Sequence, residues 1–193
     1  TAGSGFPRRL SHVRGTAMTQ PPPIAPGERF ADAEQWDHAR ATPPHLWATL
    51  GYRRLAWEPG STTIAWDATA DYCFRTAGGP IVQGGLVTAL LDAAMGGSCW
   101  TVLDRDQAFL TADLRVEFLS CAEVGTLCAR GWVVRRTRRV VFCAAELYRG
   151  EAPAGDVLAT SRCTQVVLPA DGRAGRYQQS TEPGAAPPED ARG

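Results

Sequence analysis

The chain contains no lysine: all 20 of its basic residues are arginine. Chemistry that needs a side-chain amine is thereby excluded, including Schiff bases, pyridoxal attachment, the phosphate-gripping lysine of a P-loop and the strand lysine of a kinase. Histidine is scarce, with His12, His38 and His45 all in the first quarter. A Ser-His-Asp or Cys-His site, or a histidine-containing zinc site, would have to draw on those three. Neither sign of charge is in excess: 20 Lys+Arg balance 20 Asp+Glu. The chain therefore lacks the positive field that non-specific nucleic-acid binding requires.

Six cysteines are present, at 73, 99, 121, 128, 143 and 163, without a C-x-x-C pair. Scattered through apolar stretches, they read as small buried hydrophobes kept as free thiols in a reducing, cytoplasmic setting. No stretch near the start has the apolar core of a signal peptide. No metal or cofactor is expected.

A length of 193 residues with 44% hydrophobic content supports one core-forming domain with residues left for tails. Residues 1–30, with Pro21-Pro22-Pro23 and no apolar period, read as a disordered tail, and residues 170–193 as a second. Met18 is a candidate natural start. The domain is placed at 31–169. Residues 31–40 and 43–50 are expected to form short helices broken at Pro43-Pro44. Tyr52–Glu58 and Ser61–Thr69 read as strands around a Pro59-Gly60 hairpin turn, and Asp71–Pro80 as a loop.

Gly84–Leu103 is the one long apolar element. After it come four alternating runs: Phe109–Ser120, Gly125–Arg135, Arg138–Arg149 and Asp156–Leu168. In the first run Leu110, Ala112, Leu114, Val116 and Phe118 are expected on one face. Thr111, Asp113, Arg115 and Glu117 fall on the other. Strands, one long helix, then strands joined by short turns predict an α+β fold in which an antiparallel sheet wraps a central helix.

Asp92 is the only formal charge between Thr76 and Leu103. A carboxylate at the centre of an apolar element argues against a membrane span and for a sheet-wrapped core helix. Gly85, Thr88, Asp92, Gly96 and Cys99 share one small, polar face. Leu86, Leu90, Ala93 and Gly97, flanked by Val87, Leu91 and Ala94, form the expected packing face. The small face admits either a second helix or a thin ligand beside the carboxylate. Gly84-Gly85 opens the helix, leaving unshielded N–H groups in the positive potential of the helix dipole. That is a suitable place for a developing oxyanion, and equally for a tight turn. Among the six tryptophans, Trp57, Trp66 and Trp132 are expected in the core or an interface. Trp100 is open to core packing or to lining a pocket.

The string from Val82 to Gly96, VQGGLVTALLDAAMG, resembles the central-helix signature of hotdog-fold acyl-CoA thioesterases of the phenylacetic-acid-degradation and 4-hydroxybenzoyl-CoA type. That signature is typically His-Gly-Gly, six residues, then Asp or Glu. Gln83 and Asp92 stand at the matching spacing, and the resemblance runs from about Leu46 to Leu168. It implies hydrolysis of an acyl- or aryl-CoA thioester. Asp92 would be nucleophile or general base, and the Gly84 N–H the oxyanion donor. Thr111 would stand near the carboxylate, and Gln83 would take the place of the usual His as a positioning group. It also implies a site between two subunits, in a homodimer or dimer of dimers.

Gly85, Met95 and Gly96 would line the acyl group. Arg135, Arg136, Arg138 and Arg139, at an expected hairpin tip, would hold coenzyme A phosphates, unless they form an ordinary solvated turn. The sequence departs from the pattern at Gln83 and at Ala77, where a polar Asn or Gln is usual. The competing function is a non-catalytic binder of acyl thioesters.

Overall fold

The computed structural model describes residues 45–104 and 107–168. The helix expected at 31–40, both expected tails and His12 and His38 lie outside the described residues. The elements run α1 (His45–Leu50), β1 (Arg53–Glu58), β2 (Ser61–Ala68), a 3-10 turn (Ala70–Tyr72), β3 (Cys73–Thr76), β4 (Gly79–Val82), α2 (Gly84–Trp100), β5 (Ala108–Phe118), β6 (Gly125–Arg136), β7 (Val140–Arg149) and β8 (Val157–Leu168). Six strands make one antiparallel sheet in the order β1-β2-β6-β7-β8-β5. The sheet curves around α2, as the resemblance implies. No helix among the described residues is long and apolar enough to cross a membrane.

Four readings are corrected. The segment 71–80 is not a simple loop. It folds into the β3–β4 hairpin, with Cys73 opposite Val82 and Thr76 opposite Gly79. The Gly-Gly-Pro cluster is punctuation, as expected, but of a hairpin turn: Gly79 takes φ +119, which favours glycine. Strands of four residues are too short to display an alternation.

The packing face of α2 is also rotated from its expected position. Val87, Leu90, Leu91, Ala94, Met95, Gly97, Ser98 and Cys99 are buried, whereas Leu86 and Ala93 are only half-buried. A helix apolar on nearly every side gives periodicity little to choose between.

Third, β5 does not keep one alternation. Its register against β8 slips between Thr111 and Asp113. Thr111 therefore pairs with the buried Gln165 and Leu114 with the buried Cys163, so both point toward the helix, while Leu110 points out and is 49% exposed. One extra residue in one strand, a β-bulge at Ala112, reverses the faces on its N-terminal side. Fourth, Cys121 is exposed and Cys73 half-buried; the other four cysteines are buried, and all six are free.

The helix is gripped on its C-terminal half. A Cβ on Gly131 of β6 would overlap the Ala94 carbonyl and the Met95 nitrogen, so only glycine lets strand and helix approach this closely. Thr62 Oγ1 donates to Ala94 O at 2.6 Å. Thr101 Oγ1 accepts from Gly60 N at 2.6 Å and donates to Ser98 O at 2.7 Å, tying the helix end to the β1–β2 turn. Gly60 itself has φ +74. Trp66, Ile64, Leu127 and Leu147 complete the core.

Candidate active site

Asp92 sits at the midpoint of α2, half-buried. The β5 bulge brings Thr111 to it: Thr111 Oγ1 lies 3.2 Å from Asp92 Oδ1. Bulges commonly re-aim a side chain in this way beside a site. Burial pushes the Asp92 carboxyl above the ordinary aspartate value, and the Thr111 hydrogen bond pulls it partly back. Thr111 Oγ1 is also 3.0 Å from Gln165 Oε1, and Gln165 Nε2 is 3.1 Å from Cys163 Sγ. Gln165 is a site neighbour that pattern reading missed. It lies in an apolar strand where a lone amide gives no motif, and only the strand register reveals its place.

At the helix start, Gln83 is the N-cap, in extended conformation, and its exposed side chain makes no capping bond. Its backbone N–H donates to Tyr72 O at 3.0 Å, while Val82 N–H donates to Ala122 O at 2.8 Å. These bonds fix where the helix begins. The N–H groups of Gly84 and Gly85 have no partner among the described residues. Thr88 Oγ1 donates back to Gly84 O at 2.9 Å. The Phe118 ring, 56% exposed, lies over Gly84: a Cβ there would stand 3.2 Å from its tip. Thr76, beside Ala77, shapes the β3–β4 turn instead, donating to Gly79 O at 2.8 Å.

Gly96 lies on the same open side as Asp92, under the ring of Phe109. Phe109 stacks edge-on with Trp100, ring centroids 5.3 Å apart. Met95 is instead fully buried on the sheet side, in the core cluster. Arg135, Arg138 and Arg139 are exposed around the β6–β7 turn. Arg136 is already engaged, donating to Asp104 Oδ2 at 3.3 Å and Gln107 Oε1 at 3.2 Å. No group of three His, Cys, Asp or Glu side chains suited to a metal occurs among the described residues.

One distance governs what the site can do. Gly84 and Asp92 are eight residues apart on one helix, about 12 Å at 1.5 Å per residue. A single chain cannot bring its own Gly84 amide and Asp92 carboxylate to one reacting carbon.

The model of the thioesterase superfamily matches residues 79–165, from β4 into β8. A thioesterase family protein from Silicibacter pomeroyi is 25% identical, with a TM-score of 0.60, over 70% of this chain and 96% of that one. A phenylacetic acid degradation-related protein from Ralstonia eutropha is 27% identical, with a TM-score of 0.59, over 69% of this chain and 97% of that one. A thioesterase from Haemophilus influenzae shares the fold at 14% identity, with a TM-score of 0.61, over 72% of this chain and 93% of that one. No curated protein matches the chain. The match over residues 79–165 and the similar structures support a hotdog-fold thioesterase family for this domain, with thioester hydrolysis as its general chemistry.

Proposed function

We propose that the protein hydrolyses an acyl- or aryl-coenzyme A thioester to the free acid and coenzyme A, at a site shared by two copies of the chain. The observation that carries this reading is Asp92: the one charge on α2, only half-buried and hydrogen-bonded by Thr111. A thioester carbonyl is already electrophilic. Its hydrolysis needs a carboxylate to attack or to activate water, and a donor for the oxygen as charge develops there. Asp92 from one copy and the Gly84 N–H from the other supply both, with the helix dipole adding positive potential at the donor. One well-aimed oxyanion donor is worth about 3 kcal/mol of barrier.

The need for a second copy follows from the 12 Å separation and fits the surface beside it. β5 is an edge strand, with Leu110 and Phe118 exposed along it, and an uncovered edge invites pairing. Coenzyme A is the favoured carrier because Arg138 and Arg139 are exposed and able to meet phosphates. Gln83 keeps a donor and an acceptor at the helix mouth but does not titrate there as the usual histidine would. The absence of lysine is consistent with carboxylate chemistry.

The test is thiol release from a panel of acyl- and aryl-CoA thioesters by the native protein and Asp92→Asn. The expected result is turnover in the native protein and a loss of about a thousandfold or more in the variant, within the range a positioned acid–base group supplies. Unchanged kcat in Asp92→Asn removes the mechanism. Saturable binding by the native protein without thiol release assigns it instead as a binder of acyl thioesters.

A further inference from the structure

The hydrogen bonds behind Asp92 present a problem of proton count. Thr111 has one hydroxyl proton and two neighbours: Asp92 Oδ1 at 3.2 Å and the Gln165 amide at 3.0 Å. If the amide presents its oxygen to Thr111, both neighbours are acceptors and one must go without. If Gln165 bonds Asp92's partner through its oxygen, the carboxylate is the group left facing a lone pair. The amide has a second orientation, related by a half turn, that exchanges its two ends with little change in shape. Then Gln165 Nε2 donates to Thr111 Oγ1, and the hydroxyl proton is free to serve Asp92 alone. Gln165 Oε1 now faces Cys163 Sγ, at the 3.1 Å position. The hydrogen bond to Cys143 and burial push the Cys163 thiol up, so it carries a proton to donate. Thr111 then accepts from Gln165 and donates to Asp92, while Cys163 shares its single proton between Cys143 and the amide oxygen.

We propose that Gln165 is a positioning residue of the site, its buried side-chain amide orienting the Thr111 hydroxyl so that its proton is committed to Asp92. The proposal rests on the assignment of Asp92 above and extends it one shell outward. Gln165 is fully buried, at 0% exposed, directly opposite Thr111 across the β5–β8 ladder. A buried amide is costly unless its polar atoms are used. This one is surrounded by apolar neighbours on β7 and β8, including Val141 and Val167. The position needs the bulge at Ala112: with unbroken alternation Thr111 would face away from both Gln165 and Asp92.

The groups facing Asp92 leave few other means of holding it ionised. α2 carries no second charge. β2 and β6 face the helix with Thr62, Ile64, Leu127, Ala129 and Val133, none of them titratable. β5 turns Asp113 away from the helix. The titratable groups on this side are the thiols of Cys163 on β8, Cys143 on β7 and Cys99 on α2 itself, and the negative form of Cys163 would oppose ionisation of Asp92. The Thr111 hydroxyl is therefore the lever, and Gln165 sets its direction.

The experiment measures the titration of the Asp92 carboxyl by 13C NMR, assigned with Asp92→Asn, in the native protein, Gln165→Met, Thr111→Val and the double variant. Methionine keeps the volume and removes the amide. Gln165→Met is expected to move the Asp92 midpoint to higher pH. It should lower kcat roughly tenfold with little change in KM, the size one hydrogen bond to a charged group supports. In the Thr111→Val background Gln165→Met should do nothing further, while Thr111→Ser with native Gln165 retains the native midpoint. An unmoved midpoint in Gln165→Met, or an equal shift with and without the Thr111 hydroxyl, overturns the proposal.

If Gln165→Met does not fold, the native protein answers the same question. The Gln165 side-chain 15N resonances should follow the Asp92 titration and cease to do so in Thr111→Val; flat resonances overturn the proposal. The titration is read whether or not a thioester turns over. Turnover surviving in Asp92→Asn therefore defeats the proposed function and leaves the coupling measurable. A dead Asp92→Asn with an unmoved Asp92 in Gln165→Met defeats only the role of Gln165.

Discussion

The two halves of α2 are built on opposite plans. From Ala94 to Thr101 the helix is clamped: Gly131 against its backbone, Thr62 on its Ala94 carbonyl, Thr101 hydrogen-bonded to Gly60. From Gly84 to Ala93 it is held lightly. Its first N–H groups are unpaired among the described residues, its N-cap makes no side-chain bond, and an exposed phenylalanine covers Gly84. Unpaired amides and a buried carboxylate both cost stability. They collect in the half that packs on the sheet through Val87, Leu90 and Leu91 alone, without polar ties, while the clamped half fixes their position. Rigid support on one side of a less satisfied polar surface is the usual economy of a binding or catalytic site.

The sharpest way to break that comparison is to remove one amide from the open half without disturbing the helix. Gly84→Pro does so. Proline at the first helical position loses only an N–H that the helix does not use. The preceding Gln83 is already extended, at φ −62 and ψ 129, as a residue before proline prefers to be. The ring would press on the exposed tip of Phe118, which has room to turn. The expected outcome is an unchanged or higher melting temperature with kcat down by about 10²–10³, the cost of losing an oxyanion donor. A fully active Gly84→Pro would show that this amide is not the donor.

Gly131→Ala strikes the other half. One methyl driven into the Ala94–Met95 backbone forces helix and strand apart, at a cost of about 1–3 kcal/mol. Chemical denaturation should show that loss, and activity should fall with it because Ala94 lies two residues from Asp92. Stability equal to native would mean that the clamp is soft.

Asp92→Asn provides a smaller test of the open half, through pH. Burial raises the folded-state pKa of Asp92 above its ordinary value of 3.8. The folded state therefore binds this proton more tightly than the unfolded chain. The resulting stability is complete below the unfolded pKa and is lost as pH rises through the folded pKa. At neutral pH the ionised side chain weakens the fold, and the neutral asparagine should melt higher. The gain should shrink as the pH falls through the raised folded pKa and be gone below 3.8. A variant that melts lower than native at neutral pH would mean that Thr111 and its neighbours more than offset burial.

The legibility of the sequence follows the same division. The strands and the long helix were readable because apolar residues repeat at a fixed period, and β6, β7 and β8 lie within a residue or two of their expected bounds. Asp92 was readable because a single charge in a long apolar run is conspicuous. Thr111 was not readable from alternation, which turned it away from the helix. A bulge is one inserted residue with no composition of its own, and only pairing with β8 exposes it. Gln165 was silent for a related reason: its role exists only across a ladder. The β3–β4 hairpin escaped because its strands are short and contain Pro80 on an edge. Local pattern thus reports burial well and reports register poorly, and a site assembled across strands depends on register.

The least disruptive test lies at the tip beyond the clamped half. Arg136 is spent on Asp104 and Gln107, so it supports the fold at the end of α2 and is a poor choice for probing substrate. Arg138 and Arg139 flank a turn whose shape is set by Thr137, which accepts from Val140 N at 3.0 Å and donates to Val140 O at 2.9 Å. Replacing both with alanine leaves those bonds intact and should leave the melting temperature within a degree or so, as exposed surface substitutions do. If the tip meets coenzyme A phosphates, KM for a coenzyme A thioester should rise about fivefold, within the ~1 kcal/mol that exposed ion pairs contribute. The KM for the corresponding pantetheine thioester, which lacks the nucleotide and its phosphates, should stay where it was. Equal changes for the two substrates would assign the arginines to the solvated turn, and leave the open half of α2 as the part that senses the thioester among the described residues.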